Sequence, residues 1–272
     1  MNSRVIGALL GALPLCVAAA VNAAPQYAVV DLGVASVAGA GLAWQVRWPP
    51  PPAPGYFPSL GGDQCVIPNS NWLGAEFGAT AVGSTCVADS YDRLAAKWDL
   101  SSGPIKLTVL GAIPGSTSGI DGRDAAALDF NTLGDIVGYS TSAYQTYIQP
   151  SHTVATHGFI YNNGNWIELM PIAGAEYDSR AEGVNNSREV VGETDTISSS
   201  TGAVLQRAFL YSNGTMYNLT FYLVNGPTVL LSDAYGIDCQ GNISAAGTPA
   251  AGGATHNYLL VRQGAARTNC PQ

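Results

Sequence analysis

The chain has 272 residues, 47% of them hydrophobic and only 11% charged, with 32 glycines and 16 prolines. Disordered chains combine low hydrophobicity with high net charge, so this composition predicts a packed globule instead. Lys and Arg number 11 against 19 Asp and Glu, and the resulting charge of −8 argues against a sequence-independent nucleic-acid binder.

Residues 1–24 read as a secretory signal. Arg4 supplies the positive start, Val5 to Val21 is apolar, and a small-residue exit at Ala23 or Ala24 precedes Pro25. The run is shorter than the ~20 residues a bilayer requires and is interrupted by Pro14, so cleavage is expected rather than anchoring. Leu15 is too bulky to precede a lipidated Cys16. No later segment is long and apolar enough to span a membrane, and the tail 263–272 carries no anchor. The expected location is secreted or periplasmic.

Four cysteines remain after the signal: Cys65, Cys86, Cys239 and Cys270. An even number in an exported chain predicts two disulfides, with three connectivities open. The local pairs Cys65–Cys86 and Cys239–Cys270 are preferred. No Cys-x-x-Cys spacing and no neighbouring histidine supports a metal site.

Residues 25–272 read as a single repeat domain. Tyr27 to Gly33 looks like the last strand of a repeat, comparable to Ile105 to Gly111. Residues 34–60 read as an irregular insertion, because Pro49 to Pro52 cannot join central strand ladders. Trp44, Trp48, Tyr56 and Phe57 flank that run outside the repeat. Exposed loop aromatics anchor partners, so these four form the candidate binding loop for a glycan or a surface protein.

Repeats then occupy roughly 61–110, 111–169, 170–222 and 223–262. Ala127 to Gly138, Ala181 to Gly192 and Ala234 to Ala245 align with one another. Gly138 and Gly192 are 54 residues apart, Asn185 and Asp238 are 53 apart, and a degenerate copy at Gly83 lies 55 before Gly138. A second element follows each copy: Phe159-Ile160-Tyr161, Phe209-Leu210-Tyr211, Tyr258-Leu259-Leu260 and the weaker Ala95 to Trp98. Asn163-Gly164 and Asn213-Gly214 then predict type I′ hairpins into Trp166 to Leu169 and Met216 to Leu219. Each repeat thus offers about four short strands. Their apolar residues do not alternate with polar ones, so both faces require burial and the sheets must stack on one another. The reading is all-β: a β-propeller-like ring of four-stranded antiparallel blades, four favoured over five, closed when the N-terminal strand completes the last blade.

These residues resemble the HAF-type extracellular repeat proteins of bacterial secreted sequences. That pattern runs as Asp-Leu-Gly, Ser-x-Ala-x-Gly-Ile-Asn, Gly-x-Val-Val-Gly, then His-Ala-Phe-Leu-Tyr with an Asn-Gly turn. Here it falls on Asp31 to Gly33, Ser179 to Asn185, Glu189 to Gly192, and Arg207 to Tyr211 with Asn213-Gly214. The naming triplet is never intact, appearing as His157-Gly158-Phe159, Arg207-Ala208-Phe209 and His256-Asn257-Tyr258. The resemblance covers most of 110–262, and it implies export and a propeller-like repeat fold but no reaction.

No catalytic, cofactor or metal site is legible. His157 and His256 share a repeat position with Arg207, which favours a structural role, and His152 reads as a loop residue. Asp135 and Glu189 share another position, consistent with a turn. Asp121, Asp124 and Asp129 lack the order of an EF-hand loop. No Gly-x-Ser-x-Gly elbow, phosphate-binding loop or His-Glu-x-x-His pair occurs. Sequons at Asn185, Asn213, Asn218 and Asn242 are explained by turn chemistry. The expected function is a non-catalytic binding or surface-interaction module. The alternative is a glycan-active hydrolase at the propeller axis, whose mark would be two carboxylates gathered there with a basic residue. A purely structural envelope protein is the third reading.

Overall fold

A computed structural model gives the fold and describes residues 25–34, 72–77, 79–87, 92–101, 106–116, 123–144, 154–265 and 267. The signal segment, the binding loop with Trp44, Trp48, Tyr56 and Phe57, His152, Asp121, Cys65 and Cys270 lie outside the described residues.

The protein is all-β, built from four four-stranded antiparallel sheets. The first holds β2 (Trp72–Phe77), β3 (Thr80–Cys86), β4 (Arg93–Asp99) and β5 (Lys106–Gly111). The second holds β6 (Ala125–Phe130), β7 (Ile136–Thr141), β8 (Thr156–Asn162) and β9 (Asn165–Leu169). The third holds β10 (Ser179–Val184), β11 (Val190–Ile197), β12 (Val204–Ser212) and β13 (Thr215–Asn218). In the fourth, β14 (Val229–Ile237), β15 (Ile243–Pro249) and β16 (His256–Arg262) are joined by the N-terminal β1 (Tyr27–Val34), which pairs with β16 from Tyr27↔Arg262 to Asp31↔Tyr258.

Successive sheets stack through their first strands. Strand β6 packs on β2, β3 and β4; β10 packs on β6, β7 and β8; β14 packs on β10, β11 and β12. Among the described residues, no comparable packing returns from the fourth sheet to the first. The closed ring expected from the sequence is therefore not part of the described structure, which is a succession of four sheets.

Stacking explains the unbroken apolar strands. Phe159 lies in the core between the first and second sheets, while its neighbour Ile160 lies in the core between the second and third. One repeat later, Phe209 faces the second sheet and Leu210 the fourth. Each residue thus fills a different layer, and burying a side chain of this size contributes roughly 1.5–3 kcal/mol. The hairpins take the expected turns: Asn163, Gly164, Asn213 and Gly214 all have positive φ, between 47° and 87°.

Two devices set the geometry, one within each sheet and one between successive sheets. At Gly192 an added Cβ would lie 1.9 Å from the Arg180 carbonyl oxygen, and at Gly138 it would lie 2.0 Å from that of Ala126. Only glycine admits the bulged first strand so close, which is why it ends the Val-Val-Gly motif. The second device is an amide relay. Asn131 Oδ1 accepts from Leu133 N and Asp135 N, both at 3.0 Å, while its Nδ2 donates to Asp135 Oδ2 and to Asn185 O in the next sheet. Asn185 repeats this, donating to Glu189 Oε2 and to Asp238 O at 3.1 Å. Asp238 carries no side-chain donor and instead accepts from Asn242.

Cys86 and Cys239 are both disulfide-bonded.

Gly192→Ala is expected to lose about 3 kcal/mol of stability through the backbone clash. Asn185→Ala is expected to lose about 2–4 kcal/mol, because it orphans several buried groups at once. Urea unfolding of each variant measures both.

Candidate acidic site

The first strand of each sheet carries a bulge, which takes one residue out of the ladder and re-aims it. The register shifts fall between Ala127 and Asp129 in β6, between Ala181 and Gly183 in β10, and between Ala234 and Gly236 in β14. The bulged residues are therefore Leu128, Glu182 and Tyr235. Two positions earlier stand Ala126, Arg180 and Asp233. Following the glycine-equivalent position on the second strands stand Tyr139, Glu193 and Ala246. Equivalent positions thus hold largely apolar residues in the second sheet and ionisable ones in the third and fourth.

These residues form a cluster. Arg180 Nε lies 3.0 Å from Glu182 Oε1 without hydrogen-bond alignment, and its guanidinium sits 4.3 Å over the Tyr139 ring. Tyr139 Oη accepts from Arg93 Nη2 at 2.8 Å, and Arg93 Nε donates to Asp124 Oδ1 at 2.6 Å. Glu193 Oε2 accepts from Gln206 Nε2. Asp178 Oδ1 accepts from Thr156 N, and Asp195 Oδ2 accepts from Asp178 N. Arg180, Glu193, Asp178, Asp195, Tyr139 and Asp124 line a cavity of about 250 Å³.

Burial pushes the Glu193 carboxyl up to about 7; the charges of Glu182, Asp195 and Asp178 add to this and Arg180 opposes it. Asp233 is raised well above the ordinary range by burial, then by Glu193 and Glu182. Burial likewise raises Glu182, with Arg180 opposing. Tyr235 rises to about 12 through burial and the charges of Asp233, Glu182 and Glu193. The cause is common: several carboxylates leave water together around one cation, Arg180, which is paired with Glu182.

At the opposite end of β6 a second cavity, about 480 Å³, draws its lining from all four sheets. Thr80 and Lys97 come from the first, Phe130 and Asn131 from the second, Asn186 from the third, and Ile237 from the fourth.

The residues singled out from sequence lie elsewhere. His157 is fully buried and pairs with Glu168 at 2.6 Å, its Nε2 facing the carbonyls of Ala175 and Tyr177. His256 makes the corresponding pair with Asp31 at 2.8 Å. Both bridge the third and fourth strands of a sheet, a structural role. Asp135 and Glu189 anchor the relay turns, and Arg188 pairs with Asp135. Asp124 is held by Arg93, while Asp129 accepts from Val184 N at 2.9 Å. Asn185 is buried, so its sequon is closed to modification. Arg180, Glu182, Glu193, Asp233 and Tyr235 were not singled out, although alignment of the repeats already set Glu182 and Tyr235 against Leu128.

No protein-family model, curated protein or solved structure matches the chain.

Because the folded protein holds a proton on Glu193 that the unfolded chain releases, its contribution to stability is fully present below pH 4.5 and is lost as pH rises through about 7. Glu193→Gln is therefore expected to gain on the parent across that window, by on the order of 2 kcal/mol at pH 8. Paired urea titrations at pH 4.5 and pH 8 read the difference; equal gaps at both values contradict it.

Proposed function

We propose that the chain is an exported four-bladed β-propeller, closed by its N-terminal strand, that binds a ligand at the acidic site without chemistry of its own. The observation that carries the binding reading is the break in repeat symmetry: ionisable residues occupy bulge-related positions in two neighbouring sheets, where the second sheet has alanine and leucine. Buried, poorly compensated charge opposes folding, so its retention argues for a ligand that compensates it. The propeller reading is supported by the uniform stacking of successive sheets and by a cavity to which all four contribute. The HAF-type repeat likeness, the signal segment and the disulfides Cys65–Cys86 and Cys239–Cys270 belong to the same proposal, as does a secreted or periplasmic location.

Binding is favoured over hydrolysis by the direction of the titrations. Glycoside hydrolysis needs one carboxyl held protonated and another held ionised. Here Glu182, Glu193, Asp195 and Asp233 all move upward together. The hydrolase reading keeps one point in its favour, since a group near 7 suits a general acid at neutral pH.

A panel of fluorogenic glycosides and polymeric glycans decides between them. The secreted protein is expected to turn over none; turnover abolished by Glu193→Gln and by Glu182→Gln would establish the hydrolase. Mass spectrometry of that material tests export through an N-terminus after Ala23 or Ala24, and it reads the disulfide pairs in the same experiment.

A further inference from the structure

We propose that the larger cavity, about 480 Å³, is a second binding site, which takes a single carboxylate carried on a small apolar body, with Lys97 as its counter-ion. This site lies at the other end of β6 from the acidic cluster and does not rest on that reading.

The first sheet departs from the repeat at two positions that line this cavity. Lys97 pairs with Val82, just as Ile160 pairs with Val137 and Leu210 with Val191. Ile160 and Leu210 fill the cores shared with the third and fourth sheets. Thr80 stands two residues before Val82, where the second and third sheets have Asp135 and Glu189 before their own valines. The first sheet thus has a cation in place of an apolar residue and a hydroxyl in place of an acid. Both differences make the cavity more positive.

The space itself has a local cause. In the second and third sheets the relay turns run from Asn131 to Asp135 and from Asn185 to Glu189. In the first sheet β2 and β3 stay paired as far as Phe77↔Thr80, with only two residues between. The shorter connection leaves room beside Asn131, Thr132 and Gly134.

The charge on Lys97 is not compensated by the fold. Among the described residues Lys97 makes no hydrogen bond or close ion pair, and the acid that feels its charge, Asp99, is held by Ser101 N and Oγ at 2.9 and 2.6 Å. Asp135 is taken up by Asn131, Asn162 and Arg188, and Glu189 by Asn185, Arg262 and Arg267. Asn186 Oδ1 accepts from Thr132 N and Oγ1, which leaves its Nδ2 as a further donor beside the cavity. One cation with a neutral donor matches a carboxylate, whereas a phosphate dianion would keep half its charge unmet. Phe130, Ile136, Val184 and Ile237 supply an apolar wall, and the volume falls in the range of small-molecule sites, about 300–1,000 Å³.

Calorimetry on the full secreted chain tests this with phenylpropionate, phenylpropanol, galacturonate and inorganic phosphate. Phenylpropionate is expected to bind at least about tenfold more tightly than any of the other three. Lys97→Leu is expected to erase that preference and to unfold at a higher urea concentration than the parent, because it restores the apolar residue of the repeat. Lys97→Arg is expected to keep the preference. Should Lys97→Leu fail to fold, Lys97→Gln carries the same binding test. No binding of phenylpropionate, comparable binding of the alcohol, or a preference that survives loss of the Lys97 charge overturns the inference. Tighter binding of phosphate or of galacturonate overturns it as well, the first marking a general anion site and the second a sugar-acid site.

Discussion

Asn131 and Asn185 each use both ends of one buried amide. The oxygen holds the local turn by accepting from two backbone N–H groups, and the nitrogen reaches the turn of the following sheet. Sheet-to-sheet orientation depends on that bridge, because apolar stacking alone fixes area but not register. An amide is required, since a carboxylate cannot donate and a hydroxyl cannot span both tasks. The repeat period of 53 or 54 residues is accordingly the separation between one relay turn and the next. Asp238 ends the chain of donors, and there the C-terminal segment takes over: Arg262 and Arg267 both reach Glu189 Oε1 at 2.7 Å.

With sheet orientation fixed, the bulged β14 sits against the backbone of the preceding sheet, where a Cβ added at Gly183 would lie 2.9 Å from Gly236 Cα. The bulges in turn free Leu128, Glu182 and Tyr235 from their ladders. A repeat fold thereby supplies one set of equivalent positions whose residues are released from strand packing. Sequence change at those positions alters the site while leaving the three inter-sheet cores intact.

Glu189 and Glu193 lie four residues apart and show what decides the behaviour of a buried acid. Burial raises Glu189, yet hydrogen bonds from Arg267, Arg262 and Asn185 carry it below its ordinary range. Burial raises Glu193 as well, and there its neighbours are mostly further carboxylates, so it stays high. The first acid stabilises the fold at neutral pH and the second opposes it.

The sequence by itself determined the strands, the hairpins and their repetition. Asn-Gly turns, Val-Val-Gly runs and the period between them are local patterns that recur, and recurrence makes them legible. It also indicated that the N-terminal strand would complete the last sheet, because Tyr27 to Gly33 supplied the one element the final repeat lacked. The acidic site was only partly visible. Arg180, Glu182, Glu193, Asp233 and Tyr235 come from two repeats, and nothing in their spacing announces that they meet. Only the tertiary structure decided that, because bulges turn Glu182 and Tyr235 out of the ladder and stacking brings β10 and β14 together from about fifty residues apart. Burial then gave them their chemistry, and burial depends on neighbours that are distant in sequence.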